Sequence, residues 1–253
     1  MSRPCPRSRL LALWEIVEQW VNRIKGQLSK FMDFETKQNP AKMVNNLDWT
    51  APMSAIEFLR DIGKHFSVNQ MLSKDSVSAR LEGGGISYTE FSYQVLQSYD
   101  FVELYRRNNC TLQVGGSDQW GNIVAGLDLI RRVEQGSGHA LTVPLLMKAD
   151  GTKFGKTAGG SVWLDPEMTS PYAFFQFWLN SDDKDVINFL KVFSFKSRTE
   201  IEALESAHTA NPGAREAHRE LARELTSLVH SPEIAERVEE AARALFGQGD
   251  LAT

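Results

Sequence analysis

Between residues 110 and 147 the chain runs through a short apolar segment, a glycine-containing turn, an amphipathic stretch and a second apolar segment. No other feature constrains the fold as tightly. Strand, tight turn, helix and strand in that order read as part of a parallel sheet. Residues 110–114 are expected to form a buried strand, Gly115-Gly116-Ser117-Asp118 the turn, residues 120–133 the helix and residues 141–147 the second strand. A polar, glycine-containing loop follows over residues 148–157.

After about Ser170 the pattern is helical throughout. Ser170-Pro171, Asn211-Pro212 and Ser231-Pro232 each place an N-cap residue before proline at the first helical position. Ser197-Arg198-Thr199-Glu200 is a capping box, and Gly247 would close the last helix. Upstream, Leu13, Ile16, Val17, Trp20, Ile24, Leu28 and Phe31 recur at spacings of three and four, which predicts a helix over residues 11–34 with one apolar face. Short amphipathic helices follow Asn39-Pro40. Thr50 or Ser54 would cap one containing Ile56, Leu59 and Ile62, and Ser67 another containing Val68, Met71 and Leu72. After the Gly83-Gly84-Gly85 loop, Ser87 or Thr89 with Glu90 opens a helix reaching about Arg107. The expected organisation is α/β over residues 1–168 and all-helical over residues 169–253.

Composition narrows the function classes. With 253 residues, 42% hydrophobic and 24% charged, the chain is ordinary globular material and not a disordered or coiled-coil sequence. Its longest apolar runs fall far short of the ~20 residues a membrane-spanning helix needs. Cys5 and Cys110 build neither a disulfide framework nor a zinc site, so a reducing, cytoplasmic setting is expected. Arg3, Arg7 and Arg9 precede an apolar run that is too short for a signal peptide and is broken by Glu15. The net charge of −4 comes from residues 197–246, which hold six arginines and ten glutamates. With no broad basic face, generic coating of nucleic acid is excluded, while local phosphate binding by a few lysines is not.

Three features carry chemistry. Tyr93, Gln97 and Asp100 lie within about 60° of one another on a helix, opposite Phe91, Val95 and Val102. Residues 81–105 contain no lysine or arginine, so this stripe is either a solvated face or the wall of a pocket for a small polar ligand bearing an amine or hydroxyl. Gln113-Val114-Gly115-Gly116-Ser117-Asp118-Gln119-Trp120 ends a strand in glycines, where a ligand can approach the backbone, and Asp118 could accept from ribose hydroxyls; an ordinary strand-to-helix turn is the plain alternative. Third is Asp150-Gly151-Thr152-Lys153-Phe154-Gly155-Lys156-Thr157. It is not a P-loop, because Asp150 stands where glycine is required and no helix-forming sequence follows. Two lysines three apart on a loop suit stabilisation of phosphoryl charge, or simply a solvated surface. His65, His139, His208, His218 and His230 show no metal-ligand spacing, and His218, among alternating charges, is expected on a solvated face. Residues 172–178 read as helix core.

In this order and spacing, Tyr93-x-x-x-Gln97-x-x-Asp100, Gly115-Gly116-Ser117-Asp118-Gln119-Trp120-Gly121-Asn122 and Lys153-Phe154-Gly155-Lys156-Thr157 resemble the bacterial tyrosyl-tRNA synthetases. Asn45-Asn46-Leu47-Asp48-Trp49, residues 68–80 and Ser170-Pro171-Tyr172 are similar too, so the resemblance covers residues 15–246. It implies a class I Rossmann-like parallel sheet with a helical insertion, followed by a helical domain. The chemistry implied is activation of tyrosine by ATP, with Mg²⁺, to tyrosyl-adenylate, then transfer to tRNA-Tyr. By that resemblance Tyr93 and Gln97 bind the ammonium group, Asp100 the phenolic hydroxyl, Gln113 lines the pocket, Gln119 lies near the reacting carbonyl, and Gly115, Gly116 and Asp118 meet the adenylate. Lys153, Lys156 and Thr157 match the mobile catalytic loop. The resemblance also implies a homodimer through residues 46–88, with Ile56, Phe58, Leu59 and Ile62 as an apolar patch. The family's His-x-Gly-His motif does not occur in this sequence, and the N-terminal half-sheet and C-terminal RNA-binding domain have no match in it. Little stand-alone aminoacylation is therefore expected. A non-catalytic binding or regulatory module on the same scaffold, or an unrelated nucleotide-binding α/β enzyme, are the competing readings.

Overall fold

The computed structural model describes residues 6–73, 77, 84–152, 154 and 161–246. In chain order the principal elements are helix α1 (Pro6–Leu28), helix α2 (Tyr88–Asn108), strand β1 (Leu112–Gly116), helix α3 (Trp120–Glu134), strand β2 (His139–Val143) and helices α4 (Pro171–Leu179), α5 (Val186–Phe193), α6 (Arg198–Ala210), α7 (Glu216–Val229) and α8 (Pro232–Phe246). Contacts gather them into two compact units, Val44–Leu146 and Met1–Met43 with Met147–Thr253. This division differs from the boundary expected at 168/169. The reason is local: the Ala149 N–H donates to the Asp185 carboxylate at 2.7 Å, which ties the segment after β2 to the helices that follow.

In the Val44–Leu146 unit α2 begins with a capping box, the Ser87 hydroxyl accepting from the Glu90 N–H and the Glu90 carboxylate accepting from the Ser87 N–H. It ends at Asn109, in the left-handed region at φ 52°. Its buried face (Val95, Tyr99, Phe101, Val102) packs with Leu129 and Ile130 of α3 and with Trp49, Ile62 and Met71. The approach of α2 to α3 is set by Gly126, where an added Cβ would stand 2.9 Å from the Phe101 ring.

Strands β1 and β2 pair in parallel, Val114 opposite Leu141, as the order of elements predicts. Both strands are displaced from their expected positions. The β2 ladder opens with Leu112 opposite His139 and stops at Val143, because Pro144 has no N–H to donate. The expectation of a buried first strand is corrected. Leu112, Val114, Leu141 and Val143 share one face and are 47%, 55%, 52% and 53% exposed. Gln113, Gly115, Ala140 and Thr142 occupy the more covered face, where Ile123 of α3 lies 3.1 Å from a Cβ built on Gly115. Of the two expected caps Ser54 is the one used, closing a capping box with Glu57, and the helix Ala55–Glu57 widens into a π-helical turn at Phe58–Ile62. Of the four residues expected as a surface patch, Ile62 is buried and Phe58 packs edge-on against Tyr99 at 6.2 Å, leaving Ile56 and Leu59 exposed.

The helical unit buries Phe174, Phe175 and Trp178 of α4, Val186, Phe189 and Leu190 of α5, and a long stripe of α7. The Ser170 and Ser197 caps form as predicted. Asn211-Pro212 opens only a 3-10 turn, Pro212–Ala214. His218 is fully buried, contrary to the solvated face expected for it, because it lies on the stripe Ala217, His218, Leu221, Ala222, Leu225. Helix α1 starts and ends earlier than its periodicity suggested, and its apolar face is uncovered, with Ile16, Val17, Trp20 and Ile24 all exposed. Periodicity predicts a face and not its partner. Gly247 lies outside the described residues. Among the described residues no helix is long and apolar enough to cross a membrane.

Candidate functional site

Eight of the predicted site residues belong to the Val44–Leu146 unit. Tyr93, Gln97 and Asp100 lie on the less buried side of α2, with Tyr93 exposed and the other two half-buried. Gln113, Gly115 and Gly116 end β1, and Asp118 and Gln119 form the 3-10 turn Ser117–Gln119 that leads into α3. Lys153, Lys156 and Thr157 lie outside the described residues.

Asp100 is the best-held of these groups. Its Oδ1 accepts from the Trp49 indole Nε1 at 2.7 Å and its Oδ2 accepts from the Asn46 amide at 3.1 Å. The helical turn Leu47–Thr50 supplies one donor, Trp49, and its N-cap Asn46 the other. Trp49 is buried, and the Arg107 guanidinium sits over its ring at 5.5 Å. Arg107 in turn donates to Glu103 at 2.7 Å, and Arg106 bridges Glu103 and Glu134. Burial opposes ionisation of Glu103, but the hydrogen bonds from Arg107 and Arg106 outweigh it and hold its carboxyl below the ordinary range. The result is a relay of fixed groups, Glu103 to Arg107 to Trp49, that orients one carboxylate. A carboxylate has about four lone-pair positions. Two donors leave room for a third, such as a hydroxyl.

Two further acceptors are set without partners. The side-chain oxygens of Gln97 and Gln113 are buried and have no hydrogen-bond partner among the described residues. Such oxygens are costly unless a ligand or water supplies a donor. The turn after β1 is tightly drawn: a Cβ at Gly116 would stand 2.7 Å from the Asp118 carboxylate oxygen and 3.1 Å from Leu145. A side chain at 116 would push the Asp118 carboxylate and the Leu145 methyl from their places. The Gln119 side-chain oxygen accepts from Asn122 at 3.3 Å. A cavity of about 310 Å³ in this unit, walled by Phe66, Gln94, Trp120 and Arg132 among others, contains none of these residues.

Sequence reasoning gave no role to Asn46, Trp49 or Arg107. Asn46 and Trp49 lie three apart, a helical spacing, but nothing in that spacing points to a carboxylate more than fifty residues away. No group of three His, Cys, Asp or Glu able to hold a metal occurs among the described residues.

Comparisons with known proteins identify the chain's relatives. Residues 3–247 match the family described as tRNA synthetases class I (W and Y). The tyrosine--tRNA ligase of Streptomyces griseus is 64% identical over 240 residues, which are 94% of this chain and 56% of that protein. Tyrosine--tRNA ligase 1 of Bacillus subtilis is 57% identical over 240 residues, 94% of this chain and 57% of that protein. The chain therefore spans a little over half the length of these curated relatives. Among solved structures, a C-terminally truncated mitochondrial tyrosyl-tRNA synthetase from Aspergillus nidulans has a TM-score of 0.72 at 29% identity, covering 89% of this chain and 66% of that one. The corresponding protein from Coccidioides posadasii gives 0.69 at 30% identity, covering 87% and 65%. With a family match over nearly its whole length and a fold shared with solved members, the chain belongs to the class I tRNA synthetases of the tryptophan and tyrosine group.

Proposed function

We propose that this chain carries part of the tyrosine and adenylate recognition site of a tyrosine--tRNA ligase. The observation that carries the reading is the Asp100 carboxylate, fixed by Trp49 and Asn46 with acceptor capacity to spare. The phenolic O–H of tyrosine donates to it. Phenylalanine would leave the same acceptor desolvated and unpaired, which is the strong form of selection by hydrogen bonding. The partnerless oxygens of Gln97 and Gln113 suit the ammonium group and neighbouring polar atoms of an amino acid. Tyr93 supports the ammonium end, Asp118 the ribose, Gly115 and Gly116 the close passage of the adenylate, and Gln119 the region of the carbonyl.

The reaction proposed for the whole ligase runs in two steps. The tyrosine carboxylate attacks the α-phosphorus of ATP, the bond to the β-phosphate breaks and pyrophosphate leaves. A 3′-terminal hydroxyl of tRNA-Tyr then attacks the adenylate carbonyl and AMP departs. Lys153, Lys156 and Thr157 would stabilise negative charge at the phosphates by position and electrostatics. Mg²⁺ would enter bound to the ATP phosphates, as is usual for an ion that keeps several of its waters. A homodimer in the cytoplasm completes the proposal, supported by exposed Ile56, Leu59 and Tyr88. These 253 residues contain no His-x-Gly-His. Weak stand-alone pyrophosphate exchange is accordingly part of the reading.

A non-hydrolysable tyrosyl-adenylate analogue titrated into the chain by calorimetry tests it. Gln97→Ala is expected to weaken binding by about tenfold, the cost of losing one hydrogen bond to a charged group. Equal affinity of wild type and variant would remove Gln97 from the site.

A further inference from the structure

Asp100, Glu103 and Arg107 follow one another on α2 at spacings of three and four, so they share one face of the helix. Trp49 meets that face at both ends. Its Nε1 donates to Asp100 at 2.7 Å, and the Arg107 guanidinium carbon sits over its ring, 5.5 Å from the centroid. One buried indole therefore joins the carboxylate to a cation further along the same helix. The Arg107 side chain is half exposed, so its ion pair with Glu103 is worth little by itself. As a basic residue in the last turn of α2 it also complements the helix dipole. Neither role requires the guanidinium to lie over a ring. Glu103 fixes it there. That side chain is 7% exposed, and its two oxygens accept from the Arg107 Nε and the Arg106 Nη1, each at 2.7 Å. Arg106 is held in turn by Glu134 of α3. A cation on the face of an indole draws electron density away from its nitrogen and makes the N–H a stronger donor. The accepting carboxylate is then held more firmly. Firmness matters for selection: a loose carboxylate turns to water when a ring without a hydroxyl arrives, whereas a fixed one stays unpaired.

We infer that Arg107 is a positioning residue: its charge, held over Trp49 by Glu103, strengthens the indole hydrogen bond to Asp100 and so sharpens the preference for a hydroxyl-bearing amino acid. The preference rests on the ligase reading. The strengthened bond does not, and it is read without any ligand. Hydrogen exchange of the indole N–H groups, followed by NMR, reports it, the Trp49 signal being the one lost in Trp49→Phe. Arg107→Met keeps an unbranched apolar side chain over the ring and removes the charge. In this variant exchange at the Trp49 indole is expected to rise about two- to fivefold, the range for a cation over an aromatic ring at a partly exposed site. The backbone amides of Leu129 and Ile130, in the core of the same unit, are expected to keep their wild-type rates. Arg107→Lys retains the charge and should restore most of the protection. Calorimetry with tyrosyl- and phenylalanyl-adenylate analogues should show the ratio of their affinities falling by a similar factor in the methionine variant and recovering in the lysine variant. Unchanged indole exchange in Arg107→Met overturns the inference. A parallel rise at Leu129 and Ile130 also overturns it, since Arg107 would then act on stability alone. Faster indole exchange with an undiminished preference overturns the link to selection. A wild type that binds the two analogues equally sinks the ligase reading instead, and the indole exchange then decides the positioning by itself.

Discussion

Asp100 owes its orientation to Trp49, which lies in a segment that carries the family resemblance but whose role is not legible from sequence. Trp49 donates to it at 2.7 Å from a buried ring, and replacing the indole by a phenyl group keeps most of the packing while removing the donor. Trp49→Phe is expected to lower the unfolding free energy by about 1.5–3 kcal/mol, the range for a hydrogen bond to a charged group, as read by urea unfolding. No change would mean that solvent already serves Asp100 in place of the indole. His218 makes a second residue-scale prediction. It is fully buried, with its Nε2 3.1 Å from the Ser181 carbonyl, and burial, followed by the charge of Arg215, pushes its pKa down to about 4. Asp183 opposes this and His208 adds to it. The folded state therefore binds fewer protons than the unfolded one, where histidine titrates near its ordinary value. The stability due to this residue is complete above about pH 6.5, declines as the pH falls and is gone below about 4, a loss on the order of 2–3 kcal/mol. Thermal melts from pH 7 to 4 should show this slope, and His218→Gln should flatten it. An unchanged slope in the variant would assign the acid sensitivity elsewhere. The sequence hid His218 because its neighbours on α7 are charged; the buried stripe through Ala217 and Leu221 is visible only when the helix is read as a surface.

At the scale of elements the start signals were legible and the boundaries of strands were not. Ser54-Glu57, Ser87-Glu90 and Ser197-Glu200 all close as capping boxes, because both partners lie within four residues and need no tertiary structure. Ser87→Ala is expected to cost about 1 kcal/mol, measured by urea unfolding, and an unaltered midpoint would show that α2 is held by packing alone. Strand ends depend on a partner. The β1–β2 ladder stops where Pro144 has no N–H to offer, and its covered face is chosen by Ile123 of α3 meeting Gly115, which puts Val114 and Leu141 outside. Close helix packing at Gly126 is likewise invisible in one sequence. Gly126→Val would drive carbon into the Phe101 ring and is expected to destabilise by about 1–3 kcal/mol. A variant as stable as wild type would show that α2 and α3 can separate without cost.

For the whole molecule, the family was legible from three motifs, because each one is short and can be read without tertiary structure. The organisation into units was not, because it depends on Ala149 reaching Asp185 and Phe154 reaching Trp178 across intervening sequence. With Phe58 and Ile62 turned inward, Ile56 and Leu59 are the two of the four patch residues left to meet a second copy. Light scattering should show self-association that Ile56→Glu with Leu59→Glu reduces, and a monomer at high concentration in wild type would count against it. The central claim is that one pre-oriented carboxylate selects a phenol. Its most direct measurement compares tyrosyl- and phenylalanyl-adenylate analogues by calorimetry on wild type and Asp100→Ala. The account predicts a clear preference for the tyrosyl form in wild type that disappears in the variant; equal affinity of the two analogues in wild type would contradict it.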